Sequence, residues 1–181
     1  YWDEIRVAAA APRSPVQSAT LYPQTATLGA RGFSAEVRPD GHEPPVYDYA
    51  RVTAGSPWKA MIGWFTREGN VLPLVTRVDD RFVIARPGDE IALEFDARQL
   101  APLPEGWVRT YLLRGDGFSK EMDPNSGSPH TVDPLPYHGM PRYPYSAAER
   151  RVESPGDLQY RETYNTRMVM RSLPPLTGSS R

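Results

Sequence analysis

Apolar positions recur along this chain in short runs of strand-like spacing, separated by Gly, Pro, Asn and Asp. Tyr1-Trp2-Asp3-Glu4-Ile5-Arg6-Val7 alternates apolar and polar side chains, which predicts a strand at the start. A linker of small residues and Pro follows over 8–15. Ser18-Ala19-Thr20-Leu21-Tyr22 and Gly32-Phe33-Ser34-Ala35-Glu36-Val37-Arg38 predict two more strands, with a turn at Pro39-Asp40-Gly41. Residues 43–57 are polar, carry Pro44-Pro45, Tyr47 and Tyr49, and read as a loop. The apolar, aromatic run from Trp58 to Phe65 fits a helical turn or a strand. Glu68-Gly69-Asn70 then turns the chain into Val71-Leu72-Pro73-Leu74-Val75.

The strongest pattern is central. Arg81-Phe82-Val83-Ile84-Ala85 is rich in β-formers, Arg86-Pro87-Gly88-Asp89 is a turn, and Glu90-Ile91-Ala92-Leu93-Glu94-Phe95-Asp96 alternates strictly. Together they predict a half-buried antiparallel hairpin with Ile91, Leu93 and Phe95 on one face. Trp107-Val108-Arg109-Thr110-Tyr111-Leu112-Leu113 predicts a further strand. This series of short strands implies an all-β domain over 1–114, an antiparallel β-sandwich of immunoglobulin or jelly-roll type. Trp58, Trp64, Phe65 and Trp107 are its expected aromatic core.

Beyond residue 114 the pattern dissolves. Six prolines (124, 129, 134, 136, 141 and 144) fall between Gly115 and Tyr145, together with Tyr137, Tyr143 and Tyr145. Such density excludes a helix or a central strand and predicts a long, irregular, Pro-rich C-terminal arm over 115–181. The arm is expected to lie on the core or on a partner. One short helix fits within 157–170, where Pro and Gly are absent, although its apolar stripe is poor. Residues 173–181 form a tail of Pro, Gly and Ser.

Composition sharpens this picture. Twenty prolines among 181 residues cap the helix content, and a mean hydropathy of −0.55 leaves room for only a modest core. Lys+Arg is 21 and Asp+Glu is 22, which disfavours a nucleic-acid binder. Nineteen of those cations are Arg, suited to planar, bidentate pairing; only Lys59 and Lys120 are not. No apolar run reaches the roughly 18 residues of a membrane-spanning helix. With no cysteine, disulfides, thiol catalysis, thiolate metal sites and covalent haem attachment are excluded. A strand-like start at Tyr1 is expected of a processed chain or a fragment.

Candidate chemistry is sparse. Asp116, Asp123 and Asn125 give a fragment of a calcium loop, but the further alternating oxygen ligands are missing, and a turn rich in Asx hydrogen bonds accounts for them. His42, His130 and His138 match no metal-ligand spacing; Asp133 lies where it would orient either of the last two. There is no Gly-x-Ser-x-Gly elbow. Asp79-Asp80 and Asp89-Glu90 are neighbours whose side chains diverge on a strand, so they read as turn and solvent-face charge rather than an acid/base dyad. No cofactor and no catalytic residue are expected. Tyr137, His138, Arg142, Tyr143 and Tyr145 are the expected partner-binding residues, because Tyr and Arg anchor interfaces and here sit on an extended arm.

Several strings form an ordered set. They are Trp107-Val108-Arg109-Thr110-Tyr111-Leu112-Leu113, Asp116-Gly117-Phe118-Ser119-Lys120-Glu121-Met122-Asp123, Thr131-Val132-Asp133-Pro134-Leu135-Pro136-Tyr137-His138-Gly139-Met140, Tyr143-Pro144-Tyr145 and Tyr164-Asn165-Thr166-Arg167. Tyr1-Trp2-Asp3-Glu4-Ile5, Arg31-Gly32-Phe33-Ser34, Pro57-Trp58-Lys59 and Val78-Asp79-Asp80-Arg81-Phe82-Val83-Ile84 precede them. In this order they resemble the C-terminal region of bacterial secreted FG-GAP/VCBS-repeat proteins of the ASPIC/UnbV (CRTAC-like) group, across most of residues 1–170. The resemblance implies an extracytoplasmic β-rich module, in the periplasm or at the cell surface, without catalytic residues to carry over. The propeller blades and Asp-x-Asp-x-Asp-Gly repeats of that group are absent here.

The expectation is therefore a non-catalytic structural protein. It would be an accessory subunit docking on other protein subunits, at the extracytoplasmic face of a larger assembly such as a respiratory or photosynthetic membrane complex. The alternative is a carbohydrate- or ligand-binding sandwich module that uses exposed tyrosines.

Overall fold

The computed structural model describes residues 16–38, 41, 46–53, 61–120, 123 and 125–170. The strand expected at 1–7, most of the turn at 39–41, Trp58, His42 and the tail at 173–181 lie outside the described residues.

The largest sheet is centred on β1 (Thr25–Ala30), in which alternation places Ala26 and Leu28 inward, each 1% exposed. β1 pairs antiparallel with β6 (Asp89–Glu94), from Thr25↔Glu94 to Ala30↔Asp89. On its other side it pairs with the two-residue β5 (Gly69–Asn70). Register sets Leu93 opposite Ala26 and Ile91 opposite Leu28; Leu93 packs on the core of Ala26 and Leu28, whereas Ile91 stays 37% exposed. Val71, which precedes the single helical turn α1 (Leu72–Val75), and Leu74 within it close that face, and Asn70 Oδ1 accepts from Leu72 N–H at 2.9 Å.

Two smaller antiparallel pairs complete the β-structure of the described residues. β2 (Phe33–Val37) pairs with β3 (Val46–Thr53), with a register shift between Ser34 and Ala35. β4 (Gly63–Phe65) pairs with β7 (Arg167–Val169), and an isolated parallel bridge joins Ile62 to Thr131. Gly63 has φ +144°, and a Cβ there would stand 2.7 Å from Val132 Cβ, so the approach of the two segments requires glycine. Met61, Phe65 and Val132 form a second small cluster beneath this crossing. The chain after 114 is thus interleaved with the chain before it.

α2 (Pro155–Tyr164) is the only helix longer than one turn among the described residues. It starts two residues before the expected segment and ends at Tyr164, with Arg167–Val169 forming a strand instead: Ser154 is the N-cap, Pro155 occupies the first turn, and Asp157 closes a capping box. Its inward face is Asp157, Tyr160 and Tyr164 rather than an aliphatic stripe, so polar bonds must help to seat it. The Tyr160 hydroxyl donates to Phe82 O at 2.5 Å, and burial pushes its pKa up to about 12.

The protein is predominantly β, in small antiparallel sheets, as the patterning predicts. Individual elements differ. Residues 43–57 contain β3, because Val46, Tyr47, Tyr49 and Val52 carry β-propensity that outweighs the flanking prolines. No strand forms at 18–22; the pattern that folds begins at Thr25. The expected hairpin of 81–85 with 90–96 does not form: β6 pairs with β1 and stands at the sheet edge, and 81–85 form no strand. Ile84 is claimed by Thr66, whose Oγ1 accepts from Ile84 N–H at 2.8 Å while Thr66 N–H donates to Ile84 O at 3.0 Å. Residues 107–113 form no strand, because no neighbouring strand offers them a ladder among the described residues. Trp64 is 48% exposed on the outer face of β4, opposite Met168, whereas Phe65 is buried as expected.

The β1 core is small enough for one side chain to dominate it. Leu28→Ala is expected to cost about 3 kcal/mol, read as a lower denaturant midpoint with an unchanged slope; a cost under about 1 kcal/mol would place the core elsewhere.

Candidate functional site

A chain of ion pairs starts at the N-terminus of α2. The buried Asp157 carboxylate accepts from Ser154 N–H at 2.8 Å, Ser154 Oγ at 2.7 Å, Arg151 Nη2 at 2.5 Å and Arg81 Nε at 3.2 Å. The side-chain and backbone bonds from Ser154, followed by those from Arg151 and Arg81, hold its carboxyl far below the usual carboxylate range despite burial. Arg151 uses its other nitrogen, Nη1, to reach Asp80 Oδ2 at 3.0 Å.

Asp80 in turn holds His138. Its Oδ1 accepts the His138 backbone N–H at 2.8 Å and faces Nδ1 of the ring at 2.8 Å. The opposite ring nitrogen, Nε2, faces Asp116 Oδ1 at 2.7 Å. A neutral imidazole has a single N–H and cannot donate to both carboxylates, so this geometry selects the imidazolium. The bonds to Asp80 and then Asp116 raise the His138 pKa above its ordinary value. Burial pushes the Asp80 carboxyl up, but the His138 bonds and the Arg151 charge outweigh it and leave the pKa lowered. Phe82 stacks on the His138 ring at 5.7 Å, and Phe118 meets both edge-on, at 5.3 Å from His138 and 5.5 Å from Phe82.

Lys120 makes a second clip. Its ammonium donates to Thr131 O at 2.6 Å and Val132 O at 2.8 Å, and lies 5.5 Å from the Tyr143 ring centre. Burial lowers its pKa. Together the two clips fix residues 116–120 against the body of the protein.

The stretch ahead of them is different. Residues 101–115 run irregularly from the 3₁₀ turn Ala97–Gln99, with Val108 87%, Tyr111 72%, Leu112 94% and Leu113 73% exposed. A turn closes where Trp107 N–H donates to Pro104 O at 3.1 Å, and Arg109 Nη2 donates to Ala101 O at 2.9 Å.

The residues singled out from the sequence are placed as follows. The hydroxyls of Tyr137, Tyr143 and Tyr145 donate to Glu149 O, Pro134 O and Leu135 O, at 2.5, 2.7 and 2.8 Å. Tyr145 meets Tyr137 and Tyr143 edge-to-face, at 5.1 and 6.1 Å. Arg142 is exposed and pairs with Glu149 at 3.1 Å. Asp116 sits on His138, while Asp123 Oδ1 accepts from Asn125 N–H at 2.7 Å in an Asx turn, so the calcium fragment is not assembled into one site. Among the described residues, no group of three or more acidic or histidine side chains could hold a metal. Asp133 faces Arg161 at 3.6 Å rather than either histidine. A cleft of about 60 Å³ lies beside the ion-pair chain, lined by Asp80, Tyr137, Tyr145, Arg151, Asp157 and Arg161.

Sequence reasoning assigned Asp79-Asp80 and Asp89-Glu90 to solvent. The structure corrects half of each pair. Asp80 is the hinge of the ion-pair chain, and the Asp89 side chain is fully buried between Arg167 and Arg86. Lys120 and Arg151 were likewise unmarked. Ser154-Pro155-x-Asp157 was the local signal available, as a capping pattern; Asp80 lies 58 residues from His138 and 71 from Arg151, Arg81 lies 76 from Asp157, and Asp116 lies 22 from His138. No family model, curated protein or solved structure matches the chain. The likeness to ASPIC/UnbV proteins therefore rests on the residue strings that suggested it.

Asp157→Asn should cost about 2 kcal/mol at pH 7. The difference from wild type should shrink as pH falls below about 3.9, where the unfolded chain takes up a proton that the folded carboxyl resists. Parallel denaturation curves at pH 7 and pH 3 check this, and a pH-independent gap would refute the ionic origin. Tyr143→Phe and Tyr145→Phe should each cost about 1 kcal/mol; no loss in either would mean that the hydroxyls are equally well served by water.

Proposed function

We propose that this chain is a non-catalytic interaction protein, an accessory subunit that docks on a larger protein assembly through the exposed stretch 101–115. One observation carries this reading: Val108, Tyr111, Leu112 and Leu113 stand in solvent together, in a protein whose core is small. A run of large apolar side chains left uncovered is the mark of an interaction surface. Trp107, Arg109 and Tyr111 add the residue types that anchor interfaces.

The conformation supports the same reading. The stretch has backbone donors and acceptors outside any ladder and β-forming side chains, so it is suited to join the open edge of a partner's sheet. Pro102 and Pro104 restrict it before binding, which lowers the ordering cost. The scaffold is the sheet assembly behind it, with the three-stranded sheet as one layer of the expected immunoglobulin- or jelly-roll-like sandwich. An extracytoplasmic setting belongs to the proposal on the strength of the sequence resemblance alone. Among the described residues no helix is long and apolar enough to cross a membrane.

The carbohydrate-binding alternative gains no support from the tyrosines, whose rings meet at 69° and 73° and offer no flat platform. The cleft of about 60 Å³ beside them is well short of the roughly 300 Å³ at which ligand pockets begin.

Capture of the full chain from gently solubilised native membranes should yield a stoichiometric protein companion. Val108→Asp combined with Leu112→Asp should lose that companion at least about tenfold. Both positions are exposed, so stability should stay within about 0.5 kcal/mol. A companion retained by the double variant would exclude this stretch as the docking element; recovery of the chain alone would exclude the subunit reading.

A further inference from the structure

We propose that His138 is a proton-controlled latch for the docking stretch: its imidazolium clamps Asp116, and with it the C-terminal end of residues 101–115, to the body of the protein at Asp80. The latch stands on the geometry of the ring. Its use in docking rests on the reading above.

Both ring nitrogens face carboxylate oxygens, Nδ1 with Asp80 at 2.8 Å and Nε2 with Asp116 at 2.7 Å. With two N–H groups the ring satisfies both. With one, a lone pair must face a carboxylate, which is repulsive. Which contact fails is decided by the surroundings. Asp80 is held by the His138 backbone N–H at 2.8 Å and by Arg151 at 3.0 Å, so it keeps its place beside Nδ1. Asp116 lies at the end of an exposed stretch and is the partner free to leave.

The charged groups facing the ring come from each segment packed on it. Residues 79–82 bring Asp80, and the docking stretch brings Asp116. Arg151 lies across Asp80, with Asp157 and Arg81 behind it. Lys120, four residues beyond Asp116, is engaged with Thr131 and Val132 carbonyls and stays clipped when Asp116 leaves. Phe118 packs edge-on against the same ring, so release of Asp116 loosens the stretch up to the Lys120 clip.

The direction follows from the raised proton affinity of His138. The contribution of the latch is complete below the ordinary histidine value of about 6.5 and disappears as pH climbs past the higher folded value. Closed, the latch presents the docking stretch tied at both ends. Open, it leaves one end loose, and ordering that end on binding weakens docking as pH rises.

The test uses the full chain, without any partner. The His138 ring is titrated by NMR, and trypsin cleavage after Arg109 and Arg114 is followed across the same pH range. Wild type and Asp116→Asn are compared at each pH, so that the protease's own pH dependence cancels. Wild-type His138 should titrate above the ordinary value, and Asp116→Asn should lower its midpoint. Cleavage of Asp116→Asn should exceed that of wild type at acid pH, and the excess should vanish as pH rises through the wild-type midpoint. An unchanged midpoint in Asp116→Asn, or a cleavage ratio that does not vary with pH, overturns the latch. Either result is independent of whether a companion is captured, so failure of the latch and failure of the docking reading remain separate outcomes.

Discussion

Asp157 is the carboxylate on which the arrangement of the outer segments depends. It caps α2 through Ser154, and through Arg81 and Arg151 it ties that cap to two other parts of the chain. Arg151 passes the connection to Asp80, Asp80 to His138, and His138 to Asp116. One ionic chain thus runs from the helix to the root of the exposed stretch. Such a chain is needed because the apolar clusters are small, each with only a few buried side chains at its centre. Twenty prolines deny the outer segments the ladders that hold a regular sheet. Clips between side chains and carbonyls take over: Lys120 on Thr131 and Val132, Tyr143 on Pro134, Tyr145 on Leu135, Tyr160 on Phe82. The abundance of arginine has the same explanation, since a planar fork can serve two carboxylates at once, as Arg151 does with Asp80 and Asp157.

What was legible in the sequence was what local pattern encodes. The alternation of Ile91 and Leu93 marked β6, and Gly32 to Arg38 marked β2. Pairing was not legible. Residues 81–85 and 90–96 look like a hairpin because they are adjacent, yet Thr25–Ala30 wins β6 by presenting Ala26 and Leu28 to the same core. At Trp107–Leu113 the β-propensity is real but finds no strand partner among the described residues, and propensity alone does not make a strand. The ionic chain was still less accessible. Asp80 and His138 are 58 residues apart, and nothing local distinguishes Asp80 from Asp79, which only closes a turn onto Arg81 N–H.

The division of labour between rings and aliphatics bears on function. In the sequence the tyrosines among the prolines invited a binding role, because exposed rings on an extended arm suit an interface. In the fold their hydroxyls reach carbonyls of the same chain, and residues 125–170 supply β7, α2 and Val132 to the structure. Earlier in the chain, Val108, Leu112 and Leu113 are aliphatic side chains left in solvent as a run. A free monomer gains nothing from holding these in water, and each would return about 1.5–3 kcal/mol on full burial. The proposed docking stretch is thus set by what the fold leaves uncovered rather than by which residue types are usually found at interfaces.

An exposed apolar stretch also carries a hazard, since unpaired β-forming backbone pairs indiscriminately. Here the hazard is limited from both ends. Pro102 and Pro104 interrupt donation on one side, and Arg109 and Arg114 place charge within and beside the run. The clips at Asp116 and Lys120 shorten the free length on the other side. A stretch restrained in this way presents its side chains without being able to wander far, which favours a single geometry of approach over non-specific pairing. The same restraint gives the ionic chain its end at Asp116: the last link from α2 is placed where the packed part of the protein gives way to the exposed stretch.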